Sequence, residues 1–131
     1  MAGASKIPDN VRYTKDHEWV SLSGNRARIG ITDYAQQALT DVVFAELPDV
    51  GDEFAEHDSM GVVESVKSVS DIFAPLAGKI VAVNKDLDDA PELINQDPYG
   101  KGWFCEMEIA DVKVYEKLLD AAGYKRVIQG H

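Results

Sequence analysis

Two turns of the same form constrain this chain more than any other feature. Pro48-Asp49-Val50-Gly51 and Pro75-Leu76-Ala77-Gly78 are both Pro-x-x-Gly. Between them lie two β-rich runs, Met60 to Glu64 and Val69 to Ala74, which meet at Ser65-Val66-Lys67-Ser68. Proline presets one corner of such a turn and glycine tolerates another, so the strands must end there. Matching turns on either side of a central hairpin predict two pseudo-symmetric halves of short strands, with Lys67 near the centre of the symmetry.

The rest of the chain keeps to short strands and turns. Trp19-Val20-Ser21-Leu22 and the run Arg26 to Ile31 flank Ser23-Gly24-Asn25, a hairpin pattern. Thr32 is placed to cap a short helix near 32–39. Asp41 to Leu47 alternates as a strand. Lys79 to Asn84 is another, entering an acidic loop with Asp86, Asp88 and Asp89. The turn cluster Asp97 to Gly102 precedes a strand from Trp103 to Ile109. Val114, Tyr115, Leu118, Leu119 and Ala122 recur at helical spacing, which predicts a C-terminal helix over 112–122 with Gly123 as its cap. Residues 1–10 read as a loose leader and 11–131 as a single domain. The pattern predicts a mainly β sandwich or barrel carrying one C-terminal helix. A chain of 131 residues can bury a core of its own without a metal or disulfide staple.

Charge narrows the function. The net charge is −10, and a surface of that sign repels phosphate backbones and anionic lipid, which argues against nucleic-acid and membrane-surface roles. Between Arg28 and Lys67 there is no Lys or Arg, while Asp33, Asp41, Glu46, Asp49, Asp52, Glu53, Glu56, Asp58 and Glu64 all fall there. That stretch is either a solvated face or a surface matched to basic partners. No apolar run approaches the length of a membrane span, and the first residues lack the apolar core of a signal peptide.

The chemistry-bearing residues are few. Cys105, the single cysteine, lies in Trp103-Phe104-Cys105, which favours a buried, inert thiol and a reducing compartment. His17, His57 and His131 lack metal-ligand spacing, so no metal site is expected. There is no nucleophile elbow and no phosphate-binding glycine loop. Lys67 stands out as the first cation after a long acidic stretch, at a turn without Gly or Pro, with Glu64 close by. Several readings of it remain open. It could be an ordinary solvated turn residue, or the amine of a small Schiff-base enzyme with Glu64 as general base. It could belong to a hairpin that docks a partner, or be the attachment point of a swinging prosthetic group.

The wider sequence adds a resemblance. Val62-Val63-Glu64-Ser65-Val66-Lys67-Ser68 resembles the lipoyl-attachment motif of the glycine cleavage system H-protein family. Asp16-His17-Glu18-Trp19-Val20, Gly30-Ile31-Thr32-Asp33-Tyr34-Ala35-Gln36 and Val43-Phe44-Ala45-Glu46-Leu47-Pro48 are also similar to it. So are Ser70-Asp71, Gly78-Lys79-Ile80, Val83-Asn84, Leu93-Ile94-Asn95 and Pro98-Tyr99 through Gly102-Trp103. The similarity spans roughly residues 11 to 122 in the family's order. Ser68 stands where Ala is most common, and both are small enough for a tight turn. Biotinyl domains usually have Met on both sides of the lysine, whereas Val66 and Ser68 flank it here. Lipoyl domains of 2-oxo acid dehydrogenases usually have Asp before it and are shorter.

The resemblance implies a lipoyl/biotinyl-type barrel-sandwich hybrid with a pseudo-two-fold hairpin. It implies a non-catalytic shuttle with lipoate in amide linkage on Lys67. Its partners would be a pyridoxal-phosphate glycine decarboxylase, a tetrahydrofolate-dependent aminomethyltransferase and a dihydrolipoamide dehydrogenase using FAD and NAD, together with the lipoylating enzymes. By motif position, Glu64 would serve recognition by the lipoylating enzymes, and Glu18, Asp71 and Asp16 would lie near the docked arm. A monomer is expected, in the bacterial cytoplasm or, for a processed form, an organellar matrix.

Overall fold

The computed structural model describes residues 5–129. Nine strands form two antiparallel sheets. The larger contains β1 (Arg12–Tyr13), β2 (Glu18–Ser23), β3 (Arg26–Ile31), β5 (Glu53–Phe54), β8 (Gly78–Val83) and β9 (Cys105–Glu108), in the order β1-β2-β3-β9-β8-β5. The smaller contains β4 (Val42–Glu46), β6 (Ser59–Ser65) and β7 (Val69–Phe73), in the order β4-β6-β7. Four short helices complete the chain: α1 (Asp33–Leu39), α2 (Asp86–Asp89), α3 (Leu93–Gln96) and α4 (Ala121–Gln129). The chain is therefore mainly β with a C-terminal helix, as its sequence predicts. None of these helices is long and apolar enough to cross a membrane.

The alternation read from the sequence becomes an inner and an outer face on each strand. Ile29, Ile80 and Met107 of the larger sheet and Ala45, Val63 and Ile72 of the smaller are all but inaccessible, and they close one core with Phe104 and Leu76. Gly61 sits where the layers come closest. A Cβ there would run into the Glu46 carbonyl oxygen and approach Phe104 Cζ to 2.9 Å. Cys105 is wholly buried in this core, and burial pushes its thiol up to about 12, which leaves it inert at neutral pH.

The two Pro-x-x-Gly turns are joined as the symmetry reading requires. The residues after the first turn pair with the end of the second and the residue that follows it, Phe54 opposite Gly78 and Glu53 opposite Lys79. Gly51 N–H donates to the Ile80 carbonyl at 2.8 Å, and Ile80 N–H donates back to Asp52 at 2.8 Å. Thr32 caps α1 as expected, its Oγ1 accepting from Ala35 N–H at 3.1 Å.

One expectation needs correction. The predicted helix over 112–122 is not continuous. A 3₁₀ turn spans Val112–Lys117, and Leu118 is extended. Leu119 then pairs with Tyr13 through two backbone hydrogen bonds of 2.8 and 2.9 Å. Asp120 starts a new helix by accepting from Gly123 N–H at 2.7 Å, so Gly123 lies inside α4 rather than at a C-cap. Strand pairing with β1 outweighs helical periodicity here. Tyr124 of α4 is fully buried, stacked on Tyr13 with centroids 4.6 Å apart. Its hydroxyl lies 2.8 Å from Thr32 Oγ1 and 2.8 Å from His17 Nδ1.

Residues 1–4 of the leader lie outside the described residues, and those that follow make hydrogen bonds with the domain. Lys6 N–H donates to Asp33 Oδ2 at 2.8 Å, Tyr99 Oη donates to the Lys6 carbonyl at 2.6 Å, and Tyr13 Oη donates to the Pro8 carbonyl. The expected acidic loop after β8 also holds two single-turn helices, each pinned by one buried side chain, Leu87 and Ile94.

Candidate functional site

Lys67 lies at the exposed tip of the β6–β7 hairpin. The tip contains no Gly or Pro because Ser65 supplies what they would. Ser65 N–H donates to the Ser68 carbonyl at 2.8 Å, closing the turn. The Ser65 hydroxyl accepts from Lys67 N–H at 3.2 Å and Ser68 N–H at 3.0 Å. A serine hydroxyl that satisfies backbone amides locally is a recognised turn device. Val66 N–H donates to the Asp41 carbonyl at 3.1 Å, which ties the tip to the start of β4. The Lys67 backbone is thus fixed while its side chain stands in solvent, and among the described residues it forms no ion pair. A Schiff-base lysine needs a desolvated amine, and this exposed position offers none.

A second layer supports the tip. Asn95, on α3, accepts from Val42 N–H at 2.9 Å and donates to the Thr40 carbonyl at 2.8 Å and to Gln36 Oε1 at 3.0 Å. It thereby holds Thr40 at φ 65°, a conformation costly for a β-branched residue, immediately before the Asp41 carbonyl that receives Val66. The sequence placed Asn95 within a matching motif but gave no sign of this role, because its partners are 53 to 59 residues distant.

The acidic candidates separate. Glu64 lies half-buried on β6, the central strand of the smaller sheet, directly between Phe44 and Val69. Glu18, on β2, is 1% exposed. One of its oxygens accepts from Thr14 Oγ1 at 2.7 Å and the other from Phe73 N–H at 3.1 Å, so it bridges the larger sheet to β7. Burial pushes its carboxyl up to about 7, against the hydrogen bonds that favour its charged form. Glu18 and the exposed Asp16 line one cleft of about 480 Å³, with Tyr13, His57, Pro75 and Leu119 among its walls. Asp71 is not part of that cleft. It is exposed on β7 opposite Val62 and accepts from Ser59 Oγ at 3.1 Å. Thr14 and the Phe73 amide, which orient Glu18, carried no signal in the sequence.

A β scaffold that offers an exposed lysine on a tied turn has the form of a carrier domain. Comparison with known proteins makes the class specific. The family model described as Glycine cleavage H-protein matches residues 11–131, and the chain belongs to that family. Among curated relatives, a Glycine cleavage system H protein from Nocardia farcinica is 56% identical over 128 residues, covering 94% of this chain and 97% of its own. One from Anaeromyxobacter sp. is 52% identical over 124 residues, covering 95% and 97%. The crystal structure of a glycine cleavage system H protein from Mycobacterium marinum superposes with a TM-score of 0.86 at 40% identity, covering 95% of this chain and all of that one. Membership of this family supports a lipoyl-carrier role in the glycine cleavage system.

Proposed function

We propose that Lys67 is the lipoyl-attachment residue and that this chain is the non-catalytic shuttle of glycine cleavage. The observation that carries the reading is the exposed lysine on the Ser65–Ser68 turn, with its backbone held from both β6 and β4. The residues fit the group, since an amide formed on a solvent-facing amine displaces no packed neighbour and breaks no ion pair.

Lys67 would hold lipoate in amide linkage, and the group would supply a redox-active disulfide for carrying the aminomethyl group and electrons between the glycine decarboxylase, the aminomethyltransferase and the dihydrolipoamide dehydrogenase. The chain itself presents the lysine, limits its travel and shelters the arm. Lysine plus lipoyl reaches on the order of 14 Å from bond lengths. Such a tether raises local concentrations to ~mM. Asp71 lies four residues from Lys67, about 13 Å at strand rise, within that reach. Phe73, whose amide Glu18 holds, lies about 20 Å along the same path. Asp71 therefore meets a cationic arm first. By that measure Glu18 and Asp16, in the farther cleft, stand beyond a fully extended arm, and Asp71 is the acid proposed to meet it. Glu64, three residues before Lys67, is assigned to recognition by the lipoylating enzymes. The monomeric chain would work in the bacterial cytoplasm, as the bacterial relatives suggest.

The test is intact mass with peptide mapping after incubation with a lipoate ligase. One lipoyl group on Lys67, absent from a Lys67→Arg variant, is expected. An unmodified Lys67 after that treatment overturns the reading.

A further inference from the structure

Among the described residues, those other than glycine with positive φ are His17, Thr40 and His57, and of these Thr40 alone is β-branched. Its φ of 65° and ψ of −148° fall at the edge of a region that glycine alone adopts readily. The Thr40 side chain is exposed, so packing does not impose this conformation. Hydrogen bonds on its backbone do. Thr40 N–H donates to the Gln36 carbonyl at 3.0 Å, and the Thr40 carbonyl accepts from Asn95 Nδ2 at 2.8 Å. Three groups surround the Asn95 amide: one donor, Val42 N–H, and two acceptors, the Thr40 carbonyl and Gln36 Oε1. A side-chain amide offers one acceptor oxygen and two donor hydrogens, which matches that set, whereas a carboxylate could not donate. The base of Asn95 is itself fixed. Ile94 is buried, and Gly102 packs so closely on the same turn that a Cβ there would stand 2.5 Å from the Leu93 carbonyl oxygen. At the other end of α1, the cap Thr32 is held by the buried Tyr124.

We infer that Asn95 is a positioning residue for the acylation of Lys67, acting through the strained Thr40 backbone that aims the Asp41 carbonyl at the tip. The inference rests on Lys67 as the attachment residue and adds what presents it. Among the described residues, the bond from Val66 N–H to the Asp41 carbonyl is the one nearest Lys67 that leaves the hairpin. A strained residue persists only where its surroundings over-determine it. Without Asn95, Thr40 relaxes towards ordinary extended backbone, and the Asp41 carbonyl turns away from Val66. Lys67 then samples several tip conformations, and a modifying enzyme meets the competent one only part of the time. Apparent affinity falls by that fraction, whereas the bound complex reacts at its usual rate. The effect therefore falls on KM and not on kcat. Glycine at position 40 would need no such support, because it adopts positive φ without strain. Dependence of the Asn95 effect on residue 40 thus separates positioning through Thr40 from a general loss of packing.

The experiment measures KM and kcat of the full, unmodified chain as acceptor for a lipoate ligase, with product followed by intact mass. Amide exchange at Val66 is measured on the same proteins without enzyme. Wild type is compared with Asn95→Ala, Thr40→Gly, the double variant, and Leu87→Ala, a packing defect in α2 at a buried residue. Asn95→Ala is expected to raise KM about tenfold with kcat little changed, and to speed exchange at Val66. Thr40→Gly should stay near wild type, and the double variant should recover most of the loss. Leu87→Ala should melt earlier and keep the wild-type KM. Asn95→Asp, which keeps an acceptor for Val42 and loses the donors to Thr40 and Gln36, repeats the test should Asn95→Ala fail to fold. A wild-type KM in a folded Asn95 variant overturns the inference. So does an equal rise in Leu87→Ala, which would make it a matter of stability alone. Equal losses in Asn95→Ala and the double variant overturn the route through Thr40. A wild type that never acquires lipoate overturns the attachment reading instead, and the positioning of Lys67 for acylation falls with it.

Discussion

Replacing Glu18 with Gln isolates the energetic consequence of burying a carboxylate between the sheets. The Glu18 carboxyl stands at about 7 when folded, against an ordinary value of 4.5. Between those two pH values the folded chain holds a proton that the unfolded chain has released. Unfolding stability therefore falls as pH rises through the window. It is unaffected by Glu18 below about 4.5, where both states are protonated, and the loss is complete above about 7, where both are ionised. At 1.36 kcal/mol per pH unit, the loss amounts to about 3 kcal/mol. Gln cannot ionise and can still accept from Phe73 N–H, so Glu18→Gln should remove this slope. Relative to the protonated carboxyl the variant gives up at most a neutral hydrogen bond worth about 0.5–1.5 kcal/mol, so at pH 8 it should be about 2 kcal/mol more stable than wild type. Urea unfolding at pH 5, 6, 7 and 8, with m constant, measures both curves. Titration of groups common to the two proteins cancels in the difference. Parallel wild-type and variant curves between pH 5 and 7 would refute the reasoning.

Two further perturbations test the frame around the tip. Gly61→Ala places a methyl against the Glu46 carbonyl and Phe104, both fixed in the packed core, and should cost about 3 kcal/mol or more in urea unfolding; a variant as stable as wild type would mean the sheets can separate there at little cost. Asn95→Ala removes the side chain that holds Val42, Thr40 and Gln36 and should cost about 2–3 kcal/mol. It should also speed amide exchange at Val42 and Val66 selectively, and exchange unchanged at those two amides would show that the tip does not depend on Asn95.

Much of the frame was legible from local chemistry. The Pro-x-x-Gly turns, the Gly24-Asn25 hairpin and the Thr32 cap act within a few residues, and each stands where the sequence put it. Strand alternation likewise marked the runs that become strands, although which alternate side chains enter the core was first settled by the sheets themselves. The C-terminal segment was misread for a related reason. The apolar stripe from Val114 to Ala122 has helical spacing, but its middle pairs with Tyr13, more than a hundred residues away.

By itself the sequence determined the mainly β architecture and the exposed lysine between two short arms, since turn residues, alternation and a polar tip are local properties. It also carried the family resemblance, spread over many short motifs. Only the tertiary structure decided what surrounds that lysine. Asn95 reaches across from α3 to the start of β4, Glu18 becomes a buried bridge to the Phe73 amide, and Asp71 stands apart from the cleft that Glu18 shares with Asp16. The physical reason is that burial, and with it the carboxyl of Glu18 at about 7, depends on which distant strands close over a residue. Neighbours along the chain do not encode that closure.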